Sequence, residues 1–445
     1  PNYFLADTYD WRIYHPVSLV YLRFPQIINA SPELYMEYLV KRTPFYCLFN
    51  AFFMSLTGPF YYIFQITSIT VNTLLFWITY LTAAKLFSKK TAVLSAALLP
   101  LIPMFAGRIN FPITKPLVMF FILLTIYQYA KCRIFTDSLS FRRDQVLTVL
   151  AGVCAYMVHP MALFYLVWIA LDQVVLWIRR KTPISFTFIF SAVCLITFMI
   201  IPWYAWSIST YGWESVFTPP AGIRESTHDA FSYLISRFTM IITSVFFPLP
   251  HSLTFFNIEG APMDTVTQRW FSWGNYWLLN YFETWLFGFS LTSLPFGFWG
   301  FLKKKPDVFK LFSSPIVWLT CLGAGTVVGA NLKIEAAQAF NMLGPLSVLV
   351  YIFVCHGLSR LSKRTLFLFW CCLFAENIVM RLLMFKMAKI YTRVADLVQH
   401  KDLPFLYDIV HSSFPHQLVI SSMAVMITLG AYSYLFLRQN NFRSE

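Results

Sequence analysis

A 445-residue chain with 58% hydrophobic and 12% charged residues is not an ordinary soluble domain, in which charged residues make up roughly 25%. Its mean hydropathy of +0.60, with 47 Phe, 24 Tyr and 14 Trp, points to spanning helices with lipid-facing surfaces and aromatic interfacial belts. The net charge of +14 does not argue for nucleic acid, because in such a chain Lys and Arg gather in cytoplasmic loops.

The chain opens on "ADTYDWRIYHP" (6–16), a polar, aromatic stretch that carries Asp7 and Asp10. "PELYMEYLVK" (32–41) follows with an amphipathic pattern, and "TPFYCLFNAFFMSL" (43–56) is apolar but too short to span, so both are expected as interfacial helices. Apolar runs able to cross about 30 Å of hydrocarbon then recur. They lie near 61–84, 91–107, 113–131, 146–159, 160–178, 184–208, 276–302, 314–330, 337–356, 365–385 and 418–437.

Every second short connection is basic: Lys85, Lys89 and Lys90, then Lys131, Arg133, Arg142 and Arg143, then Arg179, Arg180 and Lys181. The later ones are Lys303, Lys304 and Lys305, then Arg360, Lys363 and Arg364, and finally Arg438 and Arg443. This register puts 1–60, 107–113, 209–275, 331–336 and 386–417 outside and the C-terminus in the cytoplasm. The expected fold is an all-α integral membrane bundle of about eleven transmembrane helices, with interfacial helices in its outer loops. It divides into an outer segment 1–60, a transmembrane core 61–208, a large outer loop 209–275 and a C-terminal bundle 276–445. The segment "FSYLISRFTMIITSVFFPLP" (231–250) reads as interfacial or re-entrant because of Arg237 and its closing prolines. An outer start at Pro1 implies an upstream spanning helix or signal peptide.

The outer loops hold no cysteine pair for a disulfide scaffold, and no Cys and His spacing resembles a zinc site. Long outer segments are where chemistry is expected. Asp7 and Asp10 suit either a general base, a pair of oxygen ligands for a divalent cation, or plain loop capping. Arg108, Lys115, His159, Arg224 and Lys333 all fall at outer ends of spans or in outer loops, where each either snorkels or joins the others on an anion. Inside 365–385, Glu376, Asn377 and Arg381 need partners; they read as an interhelical tie or as part of a lipid-phosphate groove.

The order of these features resembles the GT-C membrane glycosyltransferases, in the branch of protein O-mannosyltransferases and the lipid A aminoarabinose transferase. The first-loop acids precede "KRTPFYCLFNAFFMSLTG" (41–58), and "YLTAAKLFSKKTAVLSAALL" (80–99) matches the family's basic "LF" turn. "GRINFPITKPLVMFFILL" (107–124), "LAGVCAYMVHPMALFYL" (150–166), "IIPWYAWSISTYG" (200–212) and "NLKIEAAQAFNMLGPLSVLVYIF" (331–353) follow in family order. The family's first spanning helix is missing, which agrees with the outer start.

The resemblance implies transfer of a sugar from a polyprenyl or dolichyl phosphate to an acceptor on the extracytoplasmic face, in a plasma (inner) membrane. Asp10 would be the base, with Asp7 beside it. Arg108, Lys115, His159, Arg224 and Lys333 would bind substrate, and Asp7 and Asp10 would hold any divalent cation. The chain departs from the family at Lys115, where relatives carry Asp before "P-L". That Lys either pairs with the acids or displaces a metal. The departure supports a second reading, a non-catalytic subunit with other membrane subunits as partners. A transporter would show paired repeats with broken helices, and no internal repeat is present.

Overall fold

The computed structural model describes residues 43–57, 62–99, 115–133, 139–179, 186–217, 292–303, 311–330 and 343–379. These are helical throughout, with no strand among the described residues. The helices are α1 (Phe45–Thr57), α2 (Tyr62–Leu86), α3 (Lys89–Leu98), α4 (Lys115–Cys132) and α5 (Leu139–Val158). A short turn at Pro160–Ala162 leads into α6 (Leu163–Ile178), followed by α7 (Phe186–Tyr211) and the short α8 (Trp213–Phe217). Then come α9 (Ser293–Lys303), α10 (Pro315–Ala330), α11 (Gly344–Ser359) and α12 (363–379).

Local signals explain the boundaries. Ser88 caps α3, its hydroxyl accepting from the Thr91 N–H at 3.2 Å. Proline starts α11, where the missing N–H is harmless because the first helical turn leaves its amides unpaired. Gly212, at φ 82, ends α7 in a backbone region that favours glycine. Within α7, Pro202 lacks the N–H that would bond the Phe198 carbonyl. The turn before it widens into a π-helical turn over Ile196–Ile200, closed by the Ile201 N–H on the Ile196 carbonyl.

By length and composition, Pro160–Ile178 and Phe186–Tyr211 are able to cross a membrane. Side-chain exposure adds a second argument. Phe186 and Phe198 are each 78% exposed, and Phe190, Val193 and Ile201 are exposed beside them. Large apolar groups displayed along a helix suit hydrocarbon, not water. The protein is an integral membrane protein.

Contacts between helices test the basic-loop register. The Lys90 ammonium donates to the Ser359 carbonyl at 2.9 Å, while the Tyr351 hydroxyl donates to the Ser95 carbonyl at 2.7 Å. Residue numbers therefore run oppositely, and α3 and α11 are antiparallel. Gly297 meets Val354, and Gly300 meets Gly357, so α9 and α11 run parallel. Arg133, just past the end of α4, chelates Asp172 near the end of α6, and its guanidinium lies 5.7 Å from the Trp318 ring near the start of α10. The connections at 85–90, 131–133, 179, 303 and 360–364 thus gather at one end of the bundle, here termed the basic end.

Lipid gives helices no hydrophobic reason to associate, so close backbone packing and polar ties carry the load. A Cβ on Gly300 would collide with the Gly357 carbonyl, and one on Gly357 with that of Gly297. The two helices touch backbone to backbone. The core around α4 and α11 is filled by Leu117, Val118, Ile122, Tyr129, Val348 and Tyr351.

Candidate functional site

The end opposite the basic loops is assembled by the α4–α5 hairpin. A Cβ on Gly152 would lie 3.6 Å from Thr125 Cγ2 and 2.9 Å from Leu166 Cδ2, which fixes the level of α5 against α4 and α6. Lys115 begins α4 ten residues before Thr125, and His159 follows Gly152 by seven. At ~1.5 Å per residue, these are rises of about 15 and 11 Å toward the same end. Two of the sequence-predicted site residues therefore share one end of neighbouring helices. Asp7, Asp10, Arg108, Arg224 and Lys333 lie outside the described residues.

His159 has a local task. Its backbone is extended (φ −159, ψ 128), and Nδ1 accepts from the Met161 N–H at 3.2 Å, capping the turn that opens α6. Because the cap uses the Nδ1 lone pair, it requires the neutral ring, with Nε2 carrying the proton. The half-buried imidazole serves here as the acceptor that caps the turn.

Above it, Tyr156 of α5 and Tyr204 of α7 join hydroxyl to hydroxyl at 2.8 Å. Trp203 and Trp206 stack loosely with centroids 5.0 Å apart, and Trp206 meets Tyr211 edge-on at 5.8 Å. Ser207 is fully buried, and its hydroxyl has no hydrogen-bond partner. "IIPWYAWSISTYG" was legible as a motif, but nothing in it singled out Tyr204 or Ser207. The signal available was their spacing of three residues, which places both on one helical face.

The polar residues nearer the basic end are tied together. Asp172 receives the Arg133 Nε at 2.9 Å and a guanidinium terminal nitrogen at 3.1 Å, a bidentate pair. The Tyr129 hydroxyl donates to Asp172 Oδ2 at 2.5 Å, and Gln173 Nε2 donates to the Tyr129 oxygen at 2.8 Å. His356 stacks on Phe87 with centroids 3.8 Å apart and meets the Thr91 hydroxyl at 3.2 Å. At the other end of α12, the buried Glu376 accepts from the Thr292 N–H at 3.0 Å, just ahead of α9, and Asn377 donates to the Leu373 carbonyl. The interhelical tie is the reading that Glu376 supports. Arg381 lies outside the described residues.

Among the described residues no group of three His, Cys, Asp or Glu side chains could hold a metal ion. The acids expected to bind a cation, Asp7 and Asp10, are not among them.

No family model and no curated protein matches the sequence. Solved structures do match in shape. The apo structure of ArnT from Cupriavidus metallidurans superposes with a TM-score of 0.54 at 12% identity, covering 96% of this chain and 67% of that one. The ArnT structure bound to undecaprenyl phosphate gives a TM-score of 0.50 at 12% identity, covering 90% of this chain and 63% of that one. This chain has a GT-C-type fold. It spans about two thirds of the length of the ArnT chains it matches. The oligosaccharyltransferase AglB from Archaeoglobus fulgidus, in complex with an inhibitory peptide and a dolichol-phosphate, is also similar, with a TM-score of 0.41 at 13% identity, over 95% of this chain and 51% of that one.

Proposed function

We propose that this GT-C-type chain transfers a sugar from a polyprenyl- or dolichyl-phosphate donor to an acceptor on the extracytoplasmic face of the membrane. The observation that carries the reading is the fold likeness to ArnT, one of whose matching structures holds undecaprenyl phosphate. The shared placement of Lys115 and His159 opposite the basic loops supports it.

In this reading Asp10 takes the proton from the acceptor hydroxyl as its oxygen attacks the anomeric carbon. The bond from that carbon to the phosphate oxygen breaks, and the phosphate leaves with the electron pair. Arg108, Lys115, Arg224 and Lys333 meet the developing negative charge, and charges near hydrocarbon interact more strongly than in bulk water. His159 contributes a neutral donor. Asp7 steadies the acceptor side, and a divalent cation, where bound, is held by Asp7 and Asp10. The donor's long tail runs along an apolar surface reachable from the bilayer. The active site faces the exterior or periplasm, in a plasma (inner) membrane.

The second reading, a non-catalytic subunit of GT-C-type fold, draws on Lys115, which opens α4 where relatives carry Asp. One experiment separates the two. The chain is reconstituted with a polyprenyl-phosphate sugar, and release of polyprenyl phosphate is followed for the parent, Asp10→Asn and Arg108→Ala. Transfer by the parent and its loss in both folded variants supports the enzyme. Parental rates in both variants refute these assignments, and no consumption of donor by the parent favours the subunit.

A further inference from the structure

Cations at the basic end keep a fixed relation to the apolar side chains below them. In α5 the exposed Arg142 and Arg143 are followed four residues on by the exposed Val146 and Leu147. In α12 the exposed Lys363 and Arg364 are followed four residues on by the exposed Phe367 and Leu368. Residues four apart stack on one helical face. Each basic pair therefore sits on the face that, one turn deeper, meets hydrocarbon.

Two further contacts set the level of these pairs. Cys132, the last residue of α4, lies beside Thr148, with Sγ and Oγ1 3.8 Å apart, so the residues of α5 before Thr148 run past the end of α4. At the end of α9 the exposed Lys303 holds its ammonium 5.8 Å from the centre of the exposed Trp299 ring, a pairing suited to the membrane–water interface. The helices do not need the cations for their own stability. Positive side chains near a helix start oppose its dipole, and α5 has no acid in its first turn to offset them. Among the described residues, the acids toward this end are Asp144 and Asp172. Asp172 is taken by Arg133, and Asp144 Oδ1 lies 3.9 Å from an Arg143 nitrogen. Membrane insertion calls for positive charge in a connection but not for its placement on the lipid side.

A net-negative headgroup whose acyl chains cover the apolar row beneath it is complementary to both halves of this surface. An acidic protein would meet the cations and leave the apolar rows unmatched. We propose that the rim of the basic end docks anionic glycerophospholipids, with Arg142 and Arg143 holding one headgroup phosphate and Lys363 and Arg364 another. This surface lies at the opposite end from Lys115 and His159 and stands apart from the transferase reading.

The test is native mass spectrometry of the full chain in detergent, titrated with phosphatidylglycerol or with phosphatidylcholine. The two lipids share a phosphate and acyl chains and differ in net charge. The parent should bind phosphatidylglycerol more tightly. Arg142→Gln and Arg364→Gln should each weaken that binding about fivefold, the attraction of one basic residue to an anionic surface. Phosphatidylcholine affinity and thermal unfolding should be unchanged, and Arg142→Lys should keep the parental preference. Lys85 of α2 has the half-buried Leu81 and the buried Thr82 one turn below it. Lys85→Gln removes the same charge there and should leave the preference intact. A parent that does not prefer phosphatidylglycerol overturns the proposal and leaves the rim to an acidic protein. Equal weakening by Lys85→Gln and by the two arginine variants also overturns it, because the attraction is then diffuse.

Discussion

The two ends of this bundle differ in the side chains that hold them: charged and polar ties at one, clustered aromatic rings at the other. At the basic end, Asp172 takes three donors, Lys90 reaches a carbonyl of another helix, and His356 is held by stacking and by Thr91. At the other end, Ser207 is buried without a partner among clustered aromatic rings. Buried side-chain atoms without a partner occur toward both ends, Thr82 and Gln128 at the basic end and Ser207 at the other, so what distinguishes the basic end is its charged groups, which are bonded across helices. The basic end holds the fold together, and the far end is where function is expected.

The comparison fails outright if the ends are not on opposite sides of the membrane. Labelling of intact cells with an impermeant amine reagent should leave Lys303, Lys304 and Lys305 unmodified until the membrane is opened. Modification from outside would invert the whole assignment.

Next in size is Asp172→Ala. It strands the partly exposed Arg133 guanidinium and the buried Tyr129 hydroxyl, and leaving such partners unmatched costs about 1–3 kcal/mol. The melting temperature in detergent should fall by several degrees, while affinity for polyprenyl phosphate in folded protein stays constant. A large change in affinity with little change in melting would place function at the basic end.

Gly300→Ala comes third. It forces α9 and α11 apart where their backbones touch, a strain of about 1–3 kcal/mol, also read by thermal unfolding.

The smallest effect sharpens the contrast most. His159→Ala removes a cap worth about 1 kcal/mol, and His159→Asn restores a capping oxygen. Stability should return in the Asn variant while donor turnover remains low. Turnover that returns with stability would reduce His159 to a structural cap.

Much of the fold was legible because apolar runs end where charge or proline intervenes. The run at 61–84 is α2, that at 113–131 is α4, and that at 314–330 is α10, each within two residues at its ends. The expected short helix at 43–56 is α1, tied to α2 by the Thr67 hydroxyl on Asn50 at 2.9 Å. The helices expected at 32–41 and 231–250 lie outside the described residues, as does the last run at 418–437. The start of α5 was read seven residues late, since "LSFRRDQ" is helical but too charged to count as apolar. A hydropathy pattern marks hydrocarbon, whereas hydrogen bonds carry the helix on into water. The Arg133–Asp172 pair was invisible for a different reason. Its partners are separated by 39 residues and two turns of the chain, so only the packing of α4 against α6 brings them together. The same limit applies to Tyr156 and Tyr204.

The π turn in α7 has a consequence for how one helix serves two surroundings. One added residue advances every later side chain by about 100° around the axis. Phe186, Phe190 and Val193 lie before this phase change and face outward, and Tyr204 and Ser207 lie after it, turned toward the bundle. Pro202 thereby works as a rotary joint fixed at one setting. Deleting a single residue from 196–200 would restore the unbroken phase, swing Tyr204 away from Tyr156, and expose Ser207 to the acyl chains.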